Sequence, residues 1–266
     1  MRKIISVALC FLLSNVLIQV LNAKDKIRVV ATTTLIGTIV QEISKGKVAV
    51  TTLVPGGMCP GHFDIAPNTA KQIAAADVFI RHGWEKWADN FIKGTGKSSG
   101  KNIQLKTEGN WLVPDINIRA AEEIEKILSS EDKNNEPFYE TNLMQYRRKV
   151  INKAEELHHR FRKYRNKKII CSEQQKEFLE WLKLTVVGTY QRPEDLNIKE
   201  ISKLVAASKA QKVVLVVDNL QSGPGTGAEI AKDLKARHVV LTNFPRTDSY
   251  IETLEYNAGE LEKGLQ

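Results

Sequence analysis

The feature that most limits the fold is a regular alternation of two hydrophobic periods. Residues 27–31 (IRVVA) and 48–54 (VAVTTLV) are short runs rich in β-branched residues, and apolar residues at helical spacing separate them over 35–44. The pattern continues with a helix over 69–76, a strand at 78–81, a helix around 84–92 and a strand near 102–105. Strands that alternate with helices in this way predict a parallel sheet covered by helices on both faces. A second block repeats the scheme: KKIIC, a helix over 174–182, LTVVGTY, a helix over 198–207, KVVLVVDN, a helix over 226–234, HVVLTNF, and a last helix over 249–261.

Between the blocks, residues 136–166 hold no glycine and only Pro137. Leu143, Tyr146, Val150, Ile151, Ala154, Leu157, Phe161 and Tyr164 recur there at helical intervals. A helix of up to about thirty residues spans roughly 45 Å, long for a helix within a two-layer domain. The expected fold class is α/β: a lobe over 24–136, a linking helix over 137–166 and a second lobe over 167–266.

The first 23 residues read differently. Arg2 and Lys3 precede an apolar run, and Asn22-Ala23 stands before the charged Lys24-Asp25-Lys26, which predicts a removed signal peptide. An uncleaved anchor is the rival, because residues 4–21 approach spanning length. Export places the protein in the periplasm or another extracytoplasmic space and leaves two cysteines, Cys59 and Cys171. In an oxidising compartment these form one disulfide or serve as thiolates at a soft-metal site.

Without the signal the chain carries 37 basic and 31 acidic residues, an excess of six. Much of that excess lies in 147–149 and 160–168, on the linking helix. No nucleic-acid motif accompanies it, so it reads as a solvated helix face with no nucleic-acid partner.

The loop LVPGGMCPGHFDIAPN, residues 53–68, places a thiol, Cys59, and an imidazole, His62, three positions apart. Other histidines read as structural: His158 and His159 are adjacent on a helix and face different ways, and His238 borders a strand. Gly223-Pro224-Gly225-Thr226-Gly227 lacks the Gly-Lys-Ser/Thr ending of a phosphate loop and reads as a turn into a helix. Trp84, Trp87, Trp111 and Trp181 are expected in packing, with Trp111 also placed to floor a pocket.

Five stretches carry a family resemblance: IRVVATTTLIGTIVQEIS, VTTLVPGGMCPGHFDIAPNTAKQIAAADVFIRHG, NWLVP, FYETNLMQYRRKVINKAEEL and DSYIETLEYNAGEL. In order and over nearly the whole chain, they resemble the metal-receptor family of ABC importers, the cluster A-I solute-binding proteins for zinc, manganese or iron. The resemblance implies two α/β lobes bridged by one rigid helix and a metal held in the cleft between them. It also implies a monomeric, non-enzymatic receptor that delivers a transition metal ion to an ABC permease and its ATPase.

The ligand motifs follow the resemblance less closely than the framework. His62 is displaced by one position from the family's first ligand, and Cys59 falls where the family has Asp. No His precedes Trp111-Leu112-Val113-Pro114, the place of the second ligand. The third has its counterpart at Cys171-Ser172-Glu173, and the fourth, an Asp, becomes Asn243 in Thr242-Asn243-Phe244-Pro245. The family's His-rich linker is absent.

The donors that remain, Cys59, His62, Cys171 and Glu173, make a four-ligand set drawn from both lobes, with His82 in second rank. Each follows a predicted strand, at the edge where an open α/β sheet binds its ligand. Sulfur and imidazole together favour Zn2+ over manganese as the transported ion. Two alternatives stand beside this reading: the same scaffold holding a metal chelate or small cofactor, and a thiol enzyme using Cys59 or Cys171 with His62 as base.

Overall fold

The computed structural model describes residues 26–95, 100–195 and 197–266. The expected signal peptide, residues 1–23, lies outside the described residues. Among the described residues no helix is long and apolar enough to cross a membrane.

The first lobe contains β1 (Arg28–Thr33), α1 (Thr34–Ser44), β2 (Ala49–Val54), α2 (Pro67–Ala75), β3 (Val78–Arg81), α3 (Lys86–Thr95) and β4 (Lys101–Gln104). The second contains β5 (Lys168–Ser172), α6 (Lys176–Trp181), β6 (Thr185–Tyr190), α7 (Ile198–Ala210), β7 (Leu215–Asn219), α8 (Gly225–Leu234), β8 (Arg237–Leu241) and α9 (Tyr250–Leu265). Each sheet has four strands, all parallel, in the orders β2-β1-β3-β4 and β6-β5-β7-β8. Both orders reverse direction beside the first strand of the lobe. The C-terminal ends of β1 and β3, and of β5 and β7, therefore flank a switch point, where such sheets open a crevice.

Strand parity divides the core. Val29 and Ala31 of β1, Ile169 and Cys171 of β5, and Leu215 and Val217 of β7 all join one large cluster. Their alternates, Val30, Ile170 and Val216, face smaller clusters on the outer sides of the sheets, as a period of two requires. The large cluster runs from Val29 to Leu265 and takes in Tyr139, Val150, Leu157 and Phe161 of the linking helix. One apolar core thus passes through both lobes.

The linking helix, α5, spans Glu136–Phe161 and ends in a 3₁₀ turn, Arg162–Tyr164. Pro137 sits in its first turn, where a missing N–H costs nothing. Asn142 Nδ2 donates to the Ile43 carbonyl at 2.8 Å and Tyr146 Oη to Asn117 Oδ1 at 2.6 Å, tying α5 to the first lobe. Arg160 pairs with Glu262 at 2.7 Å and Glu255 at 2.8 Å, tying it to α9 in the second. One further helix, α4 (Pro114–Glu131), packs against α1 and α5. Pro114 at its start and Ile116, Ala120, Ala121, Ile124 and Leu128 at helical spacing mark it, in a segment outside the two predicted blocks and the predicted linking helix.

Candidate functional site

All eight strands point their C-terminal ends toward one cleft between the lobes, and a cavity of about 650 Å³ lies there. Its lining follows the strand ends: Leu35 after β1, Cys59 after β2, His82 and Trp84 after β3, and Asn110 and Trp111 after β4. The second lobe supplies Glu173 and Gln174 after β5, Arg192 after β6, Asn219 and Gln221 at and after β7, and Asn243 after β8.

The predicted donors are only partly brought together. Cys59, Glu173 and the second-rank His82 line the cavity. Cys59 caps a 3₁₀ turn, Pro60–His62, which Trp87 anchors by donating from Nε1 to the Pro60 carbonyl at 3.0 Å. The guanidinium of Arg192 reaches across from the other lobe to Cys59 Sγ at 3.8 Å. His62 ends that turn with its side chain two-thirds exposed, outside the lining, and its Nε2 stands 3.8 Å from Glu194 Oε1.

Cys171 is corrected outright. Strand parity places it with Ile169 in the shared core, fully buried, and burial pushes its thiol far above the ordinary range. Both cysteines are free, so the disulfide reading is set aside as well. Among the described residues no three His, Cys, Asp or Glu side chains converge to hold a metal ion, so the set Cys59, His62, Cys171 and Glu173 is not assembled.

The first-lobe wall is aromatic. The His82 ring stacks on Trp84, with centroids 4.9 Å apart, and meets Trp111 edge-on at 4.7 Å. Its Nε2 shares a hydrogen bond with Thr33 Oγ1 at 2.9 Å. Burial disfavours the imidazolium and lowers the pKa to about 3, so His82 is neutral at physiological pH. Behind it Glu85 accepts the His82 backbone N–H at 2.8 Å, and burial raises its carboxyl to about 7.

The second-lobe wall is a network of amides. Buried Gln175 donates from Nε2 to Asn219 Oδ1 at 3.0 Å and to Asn243 Oδ1 at 2.6 Å. Gln221 donates to Thr242 Oγ1 at 2.8 Å and, across the cleft, to the Gly56 carbonyl at 2.5 Å. Asn110 closes the opposite side: its N–H donates to Glu177 Oε2 at 2.7 Å and its Nδ2 to the Gln174 carbonyl at 2.9 Å. Gly56 packs so closely on the Pro245 carbonyl that a Cβ there would collide with backbone. The lobes meet in direct contact at this point.

Sequence reasoning missed this amide wall. The signal was present, since β5, β7 and β8 each run from apolar residues straight into Asn, Gln, Ser or Thr at the strand edge that faces the crevice. The positions the resemblance marks as ligand sites do reach the cavity, with other residues in place. Asn243 stands where the resemblance puts the Asp, and Gly109-Asn110, before Trp111, where it puts the second His. Gly109 has φ +100° and a Cβ there would lie 2.7 Å from Ile116 Cδ1, so this backbone would strain any side chain placed on it, a histidine included.

Comparison with known proteins follows the same lines as the fold. A solved structure of ZnuA superposes with a TM-score of 0.80 over 91% of this chain and 100% of that one, at 18% identity. A cadmium-bound periplasmic metal binding protein from Candidatus Liberibacter asiaticus gives 0.78 over the same shares, at 19% identity. These likenesses speak to the fold. In sequence, the manganese ABC transporter substrate-binding lipoprotein PsaA of Streptococcus mitis is 27% identical over 180 residues, 56% of this chain and 58% of the relative. The chain thus matches somewhat over half the length of that relative. A family profile described as ZnuA, zinc-uptake complex component A, periplasmic, matches residues 29–264, and with two such lobes around one interlobe cleft the chain belongs to that family.

Proposed function

We propose that the protein is the extracytoplasmic substrate-binding receptor of an ABC importer, which captures a transition-metal cargo in the interlobe cleft and hands it to a permease driven by an ATPase. The observation that carries this reading is the cavity itself, built from the C-terminal strand ends of both sheets within a chain matched to the family from residue 29 to 264. Zinc is the ion we favour. The family description names zinc uptake, and the thiol of Cys59 on the cavity wall suits zinc better than manganese. The relatives named for manganese keep that ion as the competing reading.

An uptake component binds and releases, and among the described residues the wall offers no assembled nucleophile: Cys59 Sγ is met by Arg192 and Cys171 is sealed in the core. Deletion of the gene in its host should lower cell-associated zinc under zinc limitation and leave manganese unchanged, read by elemental analysis. A fall in manganese alone would overturn zinc, and unchanged content of every transition metal would overturn the receptor reading.

A further inference from the structure

Resting on that receptor reading, we infer that the cargo occupies this cleft as a metal ion already wrapped in a small carboxylate-bearing chelator. A bare zinc ion held by protein needs three or four donors at about 2.0–2.3 Å. No such group of His, Cys, Asp or Glu exists among the described residues. The individual donors show why. Cys171 lies in the core, and His62 stands outside the lining beside Glu194. His82 Nε2 is engaged by Thr33, and Glu177 accepts the Asn110 N–H. Cys59 and Glu173 remain on the wall among neutral amides. Neutral oxygens repay little of what a transition-metal ion loses on shedding its water.

Size and charge point the same way. The cavity of about 650 Å³ falls in the range of roughly 300–1,000 Å³ that organic ligands fill. Lys86 and Arg192 line it, and neither makes an ion pair with the described residues. They stand beside two lining carboxylates, Glu173 and Glu177, and the Arg192 guanidinium, already against Cys59 Sγ, can take a carboxylate of the cargo in a charge-assisted pair. Trp84, half exposed, offers with Leu35 and Phe244 an apolar surface that an ion alone would leave without a partner. The chelator supplies the missing donors, while Cys59 and Glu173 are positioned to contact whatever part of the metal's coordination sphere it leaves open.

The test titrates the purified, reduced protein with zinc chloride, zinc citrate and bis(L-histidinato)zinc, by calorimetry and native mass spectrometry. At least one chelate should be retained at one per chain, with the mass of metal plus chelator, about 100-fold more tightly than zinc chloride. Arg192→Met should weaken the retained chelate about tenfold and should not weaken the binding of zinc chloride. Zinc alone bound as tightly as either chelate would overturn the inference while the receptor reading stands. Equal retention of metal-free citrate or histidine would also overturn it. Retention of zinc in no form would overturn both together.

Discussion

The two walls of the cleft hold their charge low by opposite means. On the first lobe the ionisable groups are present and suppressed: His82 and Glu85 sit behind Trp84 and Trp111, and burial drives both toward their neutral forms. On the second lobe Gln175, Asn219, Gln221 and Asn243 have no proton to gain or lose near neutral pH, and their dipoles are fixed by mutual hydrogen bonds. The first wall therefore responds to pH, whereas the second responds to loss of a hydrogen-bond partner. A cleft built this way presents shape and dipoles to its cargo, with formal charge left to Lys86, Glu173, Glu177 and Arg192.

The contrast breaks most visibly at Gln175. Gln175→Leu leaves two amide oxygens, on Asn219 and Asn243, without their buried donor. We expect a loss of roughly 2–4 kcal/mol in denaturant unfolding, nearly constant from pH 5 to 8. A loss below about 1 kcal/mol would mean that the amide wall is not a structural unit.

The next effect belongs to the first wall and depends on pH. The folded-state pKa of Glu85 is raised from 4.5 to about 7, so the folded protein binds more protons than the unfolded chain between those values. Its contribution is fully present below 4.5 and is lost as pH rises through 7. Glu85→Gln escapes that loss. Relative to the parent, the variant should gain stability from pH 5 to pH 8, by up to roughly 3 kcal/mol. His82 acts with the opposite sign. Its pKa is depressed from 6.5 to about 3, so its contribution is whole above 6.5 and is lost as pH falls toward 3. Melting curves of parent and variant across pH 4–8 separate the two, and an offset independent of pH would show that Glu85 does not titrate in this window.

The smallest effect is expected at His62. With its side chain exposed and outside the cavity, His62→Ala should change stability by less than about 0.5 kcal/mol and cargo affinity by less than about twofold. A tenfold loss of affinity in a competition titration would restore His62 as a ligand and redraw the first-lobe wall around it.

Much of the architecture was legible because it rests on short-range pattern. The β-branched runs at 27–31, 48–54 and 78–81 became β1, β2 and β3, and the glycine-free segment from 136 became α5. Helix α4 carries an equally clear spacing in Ile116, Ala120, Ala121, Ile124 and Leu128, but it lies outside the strand-helix alternation that marks the two lobes. The site was legible in place but not in composition. Cys59, Glu173 and His82 reach the cavity because each follows a strand. Cys171 failed because both faces of a central parallel strand are buried, so nothing local marks its thiol as a core group.

By itself the sequence determined the elements, their order and the linking helix, since periods of 2 and 3.6 are written in neighbouring residues. It also determined that the strand ends would carry polar side chains. Only the tertiary structure decided which of those side chains meet. Gln175 finds Asn219 and Asn243, 44 and 68 positions away, Gln221 finds Gly56 across 165 positions, and Arg192 finds Cys59 across 133. The physical reason is that a donor set is a matter of distances between strand ends. Sheet order and strand parity set those distances, and neither is a property of any short stretch of chain.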